Sequence, residues 1–286
     1  MNLKLLYGDR SEEDKEFILE VGNFIFGEKI KNKEKSNNFA GVFIDGRDRD
    51  FTFEDLMCFY SFKRFSKFNY PICLFLVNPE KFIKQINNLN LNIDFNFITY
   101  KIDPILSLED YTRFHIHKLY EILSVNFENI LTIQPDGMII KSGFEDYILN
   151  NNFDWISSHW RHLPNVHIFN QRLDCWVDIG YNRFPIGNGG FSYRKASKMK
   201  EIAIKTKNLI LREAGREDNR IPMEDLHLTY FGFNSGNWKI PSLAECCKFA
   251  RDPLTKDLFN NFLLEKDFFY GFHFFSSKTH WPKCFH

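Results

Sequence analysis

Short apolar segments alternate with helical segments through the first half of the chain. Residues 11–30 carry apolar side chains on one face and acids elsewhere, which predicts an amphipathic helix. Four apolar runs farther along predict buried strands, at 40–45, 71–77, 95–100 and 129–133. The periodic segments between them predict helices at 52–68, 80–88 and 107–123. Continuous apolar strands separated by helices indicate a parallel sheet covered on both faces.

From about Phe153 this regular alternation gives way to short strand-like pieces and polar loops. The clearest pieces are 155–157 and 176–178. A regular α/β half followed by an irregular, polar half is typical of a nucleotide-binding half-sheet joined to a substrate-binding half. We therefore predict a helical appendage at 1–35 and one α/β domain at 36–286.

Charge and composition exclude some partners. The 37 basic residues balance 37 acidic ones, whereas nucleic-acid-binding proteins usually carry a basic excess. No apolar run approaches the roughly 20 residues of a membrane span, and no signal peptide opens the chain. The six cysteines form no CxxC pair, which favours reduced thiols and a cytoplasmic location.

A glycine-rich segment and a pair of acids are the first candidates for chemistry. The segment 187–194 reads GNGGFSYR, and three glycines in four positions require a sharp turn or a very close neighbour. About thirty positions later, Glu224 and Asp225 begin a predicted helix. A backbone platform followed by paired carboxylates suits an enzyme that seats a polyhydroxyl substrate and removes a proton from it. The alternatives are a simple turn and two acids placed by the helix dipole.

Three further side chains lie where ligands could bind. Asp136, in the segment QPDG, follows the fourth predicted strand, and open α/β sheets bind ligands beyond the carboxyl ends of their strands. The alternative is an Asp-Gly turn. Arg113 lies in the first turns of a predicted helix, where it could meet a diphosphate or form a surface ion pair. His273 lies in a predicted aromatic strand. It could be a metal ligand or a residue of the hydrophobic core.

In their order along the chain, these segments resemble a family of bacterial and eukaryotic glycosyltransferase-like domains, known as a domain of unknown function. The family is marked by a strand ending in QxDG, then GNGGFSLR, PED and FGFH. The matching segments here are 133–137, 186–194, 223–225 and 270–273. Residues 153–160, FDWISSHW, resemble the family's FDYIGAPW. The resemblance runs from about Ala40 to Cys284, and GNGGFS is its most specific part.

The resemblance implies an α/β fold of the GT-A (Rossmann-like) type, with a mixed, mainly parallel sheet flanked by helices. Such enzymes hold a nucleotide-diphosphate sugar with a divalent cation, usually through a DxD motif. Gln134 stands at the first position of that motif, which leaves Asp136 as the charged ligand. His273 matches a late histidine of such metal sites, and imidazole with carboxylate favours Mn²⁺ over Mg²⁺. The donor-binding residues implied are Arg113, Gln134, Asp136, Gly189 and Gly190.

The resemblance also implies how an acceptor is handled. Asp225 matches the second acid of the family's xED pattern and would be the base that deprotonates the acceptor hydroxyl. Glu224 would bind acceptor hydroxyls or orient Asp225, and Trp160 and Asn188 would contact the acceptor. Tryptophans are candidate platforms for sugar faces; they are Trp155, Trp160 and Trp176.

The expected function is transfer of a sugar, with inversion, from a nucleotide-sugar donor to a glycan or lipid-linked glycan in bacterial capsule or lipopolysaccharide synthesis. The expected location is the cytoplasm or the inner face of the membrane, and residues 1–35 would make a peripheral membrane contact, a dimer contact or neither. One alternative is a metal-dependent nucleotidyl- or phosphotransferase. The other is a non-catalytic nucleotide- or glycan-binding protein, which the missing first aspartate of the motif would fit.

Overall fold

The apolar runs of the first half form strands, and the periodic segments between them form helices, in the computed structural model of the protein. The described residues are 4–5, 10–27, 30, 33, 38–159, 165–170, 175–181, 189–206, 209, 211–213, 224–235, 237–273 and 275–276. The helices are α1 (Glu12–Phe26), α2 (Phe53–Phe65), α3 (Pro79–Asn87), α4 (Leu108–Phe114), α5 (Tyr120–Leu123), α6 (Phe144–Asn151), α7 (Ala196–Thr206), α8 (Glu224–Asn234), α9 (Leu243–Phe249) and α10 (Lys256–Leu263). A π-helical turn, His115–Leu119, joins α4 to α5.

The strands are short, and the first four follow the predicted apolar runs closely. They are β1 (Phe39–Asp45), β2 (Ile72–Leu76), β3 (Phe97–Lys101), β4 (Asn129–Ile133), β5 (Gly137–Ile139), β6 (Trp155–Ser157), β7 (Asn165–Asn170), β8 (Cys175–Tyr181), β9 (Phe191–Lys195), β10 (Leu211–Glu213), β11 (Ala250–Arg251), β12 (Leu254–Thr255), β13 (Gly271–His273) and β14 (Phe275–Ser276).

In the described part of the chain, the largest sheet has six strands in the order β3-β2-β1-β4-β9-β6. Strands β1 to β4 are parallel, whereas β9 is antiparallel to both β4 and β6. From β1 the chain moves outward to β2 and β3, then returns to place β4 on the other side of β1. A crevice for ligands is expected at such a reversal. The predicted α/β architecture, a mixed, mainly parallel sheet flanked by helices, is confirmed.

Local sequence signals explain where several helices begin. Thr52 and Asp55 form a reciprocal capping box at the start of α2. The hydroxyl of Ser107 accepts a hydrogen bond from the backbone N–H of Asp110 and caps α4, as its sequence predicts. Helix α2 ends three residues before its predicted end because Ser66 has an extended backbone conformation.

Helix α1 belongs to the hydrophobic core. Phe17, Ile18, Val21 and Ile25 are fully buried in the same core as the sheet. The ring of Phe17 packs edge-on against Phe259 of α10, with ring centroids 5.9 Å apart. The sequence marks residues 1–35 as an appendage, but the apolar face of α1 is covered by the rest of the protein. Of the helices that the structure describes, none is both long and apolar enough to cross a membrane.

Candidate functional site

The carboxyl ends of β1 and β4 lie at the same edge of the large sheet as the start of β9. This follows from the strand directions, because β9 runs against β4. The loop before β9 holds Gly189 and Gly190, and the turn after β4 holds Gln134 and Asp136. The two segments meet where the N–H of Gln134 donates to the carbonyl oxygen of Gly190 at 2.8 Å. Two motifs that are far apart in the sequence are therefore neighbours at the ligand-binding edge of the sheet.

Strand β13 brings a histidine to the same edge. It pairs with β5 and places His273 opposite Gly137. The Nε2 atom of His273 lies 3.3 Å from Oδ1 of Asp136, and its Nδ1 atom lies 3.6 Å from Oδ2 of Asp252. Burial by itself lowers the pKa of His273, but the two carboxylates outweigh it and raise the pKa to about 10. Burial likewise opposes ionisation of Asp136, yet His273 leaves its pKa lowered.

The contact between Asp136 and His273 fits a divalent cation only in part. A separation of 3.3 Å between ligand atoms suits two neighbouring positions around one ion, since bonds from nitrogen and oxygen ligands are roughly 2.0–2.2 Å long. Among the described residues, however, no group of three or more His, Cys, Asp and Glu could hold a metal ion. A cation bound by this pair would take its other ligands from water or from substrate oxygens, as Mg²⁺ does in many phosphate-binding sites.

Gly189 and Gly190 are glycines because side chains press against both. A Cβ atom at Gly190 would lie 2.3 Å from Cγ of the His273 ring. A Cβ atom at Gly189 would lie 2.5 Å from Oε1 of Glu224 and 2.8 Å from Nη2 of Arg194. None of these three distances is sterically allowed, so no larger residue fits at either position without displacing its neighbours. The glycine pair is thus a thin wall between the Asp136–His273 contact and the acids of α8.

The two acids of α8 are almost completely buried against this wall. The backbone N–H of Gly189 donates to Oδ2 of Asp225 at 2.8 Å, and the N–H of Leu226 donates to Oδ1 at 2.7 Å. Burial first, and the charge of Glu224 second, raise the pKa of Asp225 well above its usual range. An ionised carboxylate in this position is a stronger base than one in water. We call Asp136, His273, the glycine pair, Glu224 and Asp225 the candidate site.

Arg194 lies beside the candidate site and contacts Glu224. Its position at the end of the glycine-rich segment did not predict this role. Its fully buried guanidinium donates to Oε1 of Glu224 at 3.0 Å and to the Tyr120 hydroxyl at 2.6 Å. It lies 3.2 Å from Nδ1 of His115, which must accept, because burial and then the charge of Arg194 lower the pKa of His115 and keep it neutral. The guanidinium also stacks 4.4 Å above the ring of Trp155. Trp155, a candidate sugar platform, is fully buried beneath this cation.

The side chain of α4 that reaches the candidate site is Tyr111, whereas the sequence predicted Arg113. Arg113 is half exposed and pairs with Glu109 of the same helix, with Nε 2.8 Å from Oε1. Tyr111 instead lies at the strand end, its hydroxyl 3.5 Å from Nε2 of Gln134, and its ring packs against His115. Burial and then the charge of Glu224 raise the pKa of Tyr111. The sequence signal for this face is the spacing of four between Tyr111 and His115, which places both side chains on one side of a helix.

The end of β1 contributes a second charged cluster to this edge. The buried carboxylate of Asp45 binds Arg47 at 2.8 Å and Arg49 at 2.5 Å. Arg49 also binds Asp55 at the start of α2. Burial opposes ionisation of Asp45, but the two arginines lower its pKa. The half-exposed Arg47 therefore places a cation at the β1 side of the edge.

Two predicted acceptor contacts, Trp160 and Asn188, lie outside the described residues. The backbone of Trp176 is described within β8, but its side chain is not.

Residues 94–273 match the model of a family described as "Protein of unknown function (DUF5672)". No curated protein matches the chain.

The solved structures that match this chain include three with low sequence identity. Mouse xyloside xylosyltransferase 1, apo form, is 12% identical, with a TM-score of 0.45 over 86% of this chain and 97% of that one. The mannosyltransferase Ktr4p from S. cerevisiae is 10% identical, with a TM-score of 0.38 over 79% and 74%. The 4-diphosphocytidyl-2C-methyl-D-erythritolsynthase from Anaerococcus prevotii DSM 20548 is 12% identical, with a TM-score of 0.37 over 71% and 85%.

Proposed function

The chain belongs to the DUF5672 family, and from its own residues we propose that it is a glycosyltransferase acting on a nucleotide-diphosphate sugar and a glycan or lipid-linked glycan acceptor. The observation that carries the proposal is the meeting of two chemically different groups at one glycine wall. Asp136 and His273 lie on one side, and Glu224 and Asp225 lie on the other. The first group suits a diphosphate with its cation, and the second suits a hydroxyl group that must lose a proton.

The donor half lies at the switch point between β1 and β4. Once His273 has lost a proton, Asp136 and His273 would hold a divalent cation, Mn²⁺ or Mg²⁺, together with diphosphate oxygens. When bound, the cation stabilises the negative charge that builds on the departing diphosphate. Arg47 and Tyr111 are candidates to contact the nucleotide or its phosphates from the β1 and α4 sides. Gly189 and Gly190 let His273 and Glu224 pack closely against the backbone, which keeps the donor half near the acids of α8.

The acceptor half is the buried carboxylate of Asp225. Its two oxygens each accept one backbone N–H, so each keeps a lone pair available to a substrate proton. As the acceptor oxygen bonds to the anomeric carbon, its proton passes to Asp225, and the diphosphate leaves with the electrons of the bond that breaks. Attack opposite the leaving diphosphate inverts the anomeric centre. Glu224, held by Arg194, would keep the start of α8 in place.

A donor panel tests this function directly. Nucleotide sugars are offered with free and lipid-linked glycans, and release of nucleoside diphosphate is measured with Mn²⁺ and with a chelator. We expect one donor to react in an acceptor-dependent way. Asp136→Asn should lose the Mn²⁺-dependent rise in melting temperature caused by a nucleoside diphosphate, while the exposed-site control Asp103→Asn keeps it.

The alternatives predict different products from the same panel. Release of pyrophosphate from a nucleoside triphosphate and a sugar phosphate would identify a nucleotidyltransferase. Binding of a nucleoside diphosphate without turnover of any donor would identify a non-catalytic binding protein. Either outcome would overturn the proposed transfer reaction.

A further inference from the structure

A cavity of about 290 Å³ lies at the edge of the sheet opposite the candidate site. Its walls include Asn69, just before β2, and Asn92 and Asp94, just before β3. It therefore opens at the amino ends of these parallel strands, whereas the candidate site lies at their carboxyl ends. A five-residue strand separates the two edges by roughly 16 Å. The volume is near the lower end of the range for small-molecule sites, which begins at roughly 300 Å³.

Two lysines hold their ammonium groups at the wall of this cavity. Lys63 of α2 donates to Oδ1 of Asn69 at 2.5 Å. Lys33 donates to the carbonyl oxygens of Arg64, at 3.0 Å, and Ser66 at the end of α2. These contacts fix both side chains in direction. An ammonium group has three donors, so at least one N–H on each lysine is left over from these bonds.

The side chains that line the cavity carry an excess of positive charge. Burial lowers the pKa of Lys33 to about 8, with Glu145 acting against this and Lys63 adding to it. Burial also lowers the pKa of Lys63, although Asp94 opposes the change. The two cations are thus close enough to repel each other, and nearby carboxylates do not offset the loss of water. In the cavity lining, two lysines face one carboxylate, Asp94.

We propose that this cavity binds a small oxyanion, a molecule with a phosphate or carboxylate group, between Lys33 and Lys63. An oxyanion would accept hydrogen bonds from the remaining ammonium N–H groups and place a second negative charge in the cavity beside Asp94. The amide of Asn92 adds a polar group for a hydroxyl on the same molecule. The hydrogen bonds from Lys33 to the end of α2 explain where its ammonium group lies. They do not fill the cavity beside it. This site is independent of the proposed transferase activity.

The test uses inorganic phosphate and acetate as probes on the whole protein. Melting temperature and isothermal titration are measured against sodium chloride at matched ionic strength. We expect one oxyanion to bind, and Lys63→Met to weaken it about tenfold or more, the usual effect of losing a hydrogen bond to a charged group. Lys63→Arg should retain binding because it keeps the cation. The matched control is Lys205→Met, which removes an exposed lysine of α7 and should change nothing.

Two further variants locate the binding. Asn92→Phe fills the cavity with both lysines intact and should abolish binding. Asp136→Asn should leave it unchanged, because that residue lies at the other edge of the sheet. Stabilisation by phosphate alone identifies a phosphate site, and stabilisation by acetate alone identifies a carboxylate site.

The proposal is overturned if neither anion stabilises the protein more than chloride does. It is also overturned if Lys63→Met or Asn92→Phe binds as wild type does, since binding would then lie elsewhere. If Lys63→Met does not fold, Asn92→Phe decides the question alone.

Discussion

Asp225 shows how its surroundings can prepare one carboxyl group for proton transfer. Burial and the neighbouring Glu224 raise its pKa, whereas two backbone N–H groups favour its ionised form. The net result is a raised pKa, so the ionised group takes up a proton more readily than a carboxylate in water does. The same N–H groups fix the direction of its lone pairs. A hydroxyl group at this position would therefore meet a base that is already oriented.

If Asp225 is the base, Asp225→Asn should lower turnover by roughly two to four orders of magnitude, the usual range for a general base. Affinity for the nucleoside diphosphate should hardly change, because the base faces the acceptor. In the wild type, turnover should fall as pH decreases through the raised pKa of Asp225, at a higher pH than for a solvated carboxyl group. Steady-state kinetics against pH, with the melting temperature as a folding control, checks both effects.

Glu224→Gln is the comparison variant at the neighbouring position. We expect it to raise KM more than it lowers kcat, since Glu224 would act through acceptor binding or orientation. Full turnover in Asp225→Asn with an inactive Glu224→Gln would exchange the two roles. Normal turnover in both variants would show that the two acids have no catalytic role and only begin helix α8.

At the scale of elements, local patterns predicted the strands but not their partners. Strands β1 to β4 lie within two residues of the apolar runs because each run is short and continuous. Burial accompanies this pattern in β1, β2 and β4, whereas β3, at the edge of the sheet, is partly exposed. The antiparallel β9 and the pairing of β13 with β5 depend on contacts between distant segments, which periodicity does not encode. Arg113 was assigned to the site by position in its helix alone. Two residues along an α-helix are roughly 200° around its axis, so Tyr111 and Arg113 point in different directions.

The junction of β9 with α8 contains the buried ion pair between Arg194 and Glu224. Replacing one residue of the pair should lower the stability of the protein strongly, whereas replacing both should lower it much less. Arg194→Met leaves the charge of Glu224 buried without its partner, and we expect a loss of about 3–5 kcal/mol in the free energy of unfolding. The double variant Arg194→Met, Glu224→Leu replaces both charges with apolar groups and should recover most of that loss.

Chemical denaturation of Arg194→Met, Glu224→Leu and the double variant measures the energetic coupling between Arg194 and Glu224. Additive effects would mean that the 3.0 Å contact between Arg194 and Glu224 does not contribute to stability. In that case its other contacts would hold Arg194, namely those with Tyr120, His115, Ser192, the carbonyl oxygen of Gly189 and the ring of Trp155.

At the scale of the whole molecule, the first described helix and the last strands complete one core. Helix α1 packs against α2 and α10, and the C-terminal β13 supplies His273 to an edge built by the first half of the sheet. A boundary near residue 35 follows from the polar composition of 29–38 in the sequence, which marks a connection between elements. Composition alone does not reveal whether the helix before that connection is covered by the domain after it.

Phe17→Ala tests this packing. A fully buried phenylalanine in a shared core should cost about 3–5 kcal/mol of unfolding free energy when truncated. Leu19→Ala, two positions along the same helix and half exposed, is the matched control and should change stability by no more than about 0.5 kcal/mol. Urea denaturation of both variants compares them directly. If both variants changed the free energy of unfolding by the same small amount, α1 would be a separate appendage that does not share the core.

The pairing of β13 with β5 also has a kinetic consequence. Asp136 and His273 are 137 positions apart in the sequence, so their contact closes a long loop. Contacts between distant positions form slowly, because the entropy of the intervening chain must be lost before the contact is gained. Partly folded molecules would therefore hold Asp136 beside the glycine loop before His273 arrives. The candidate site should appear late in refolding, after the parallel sheet on which it rests.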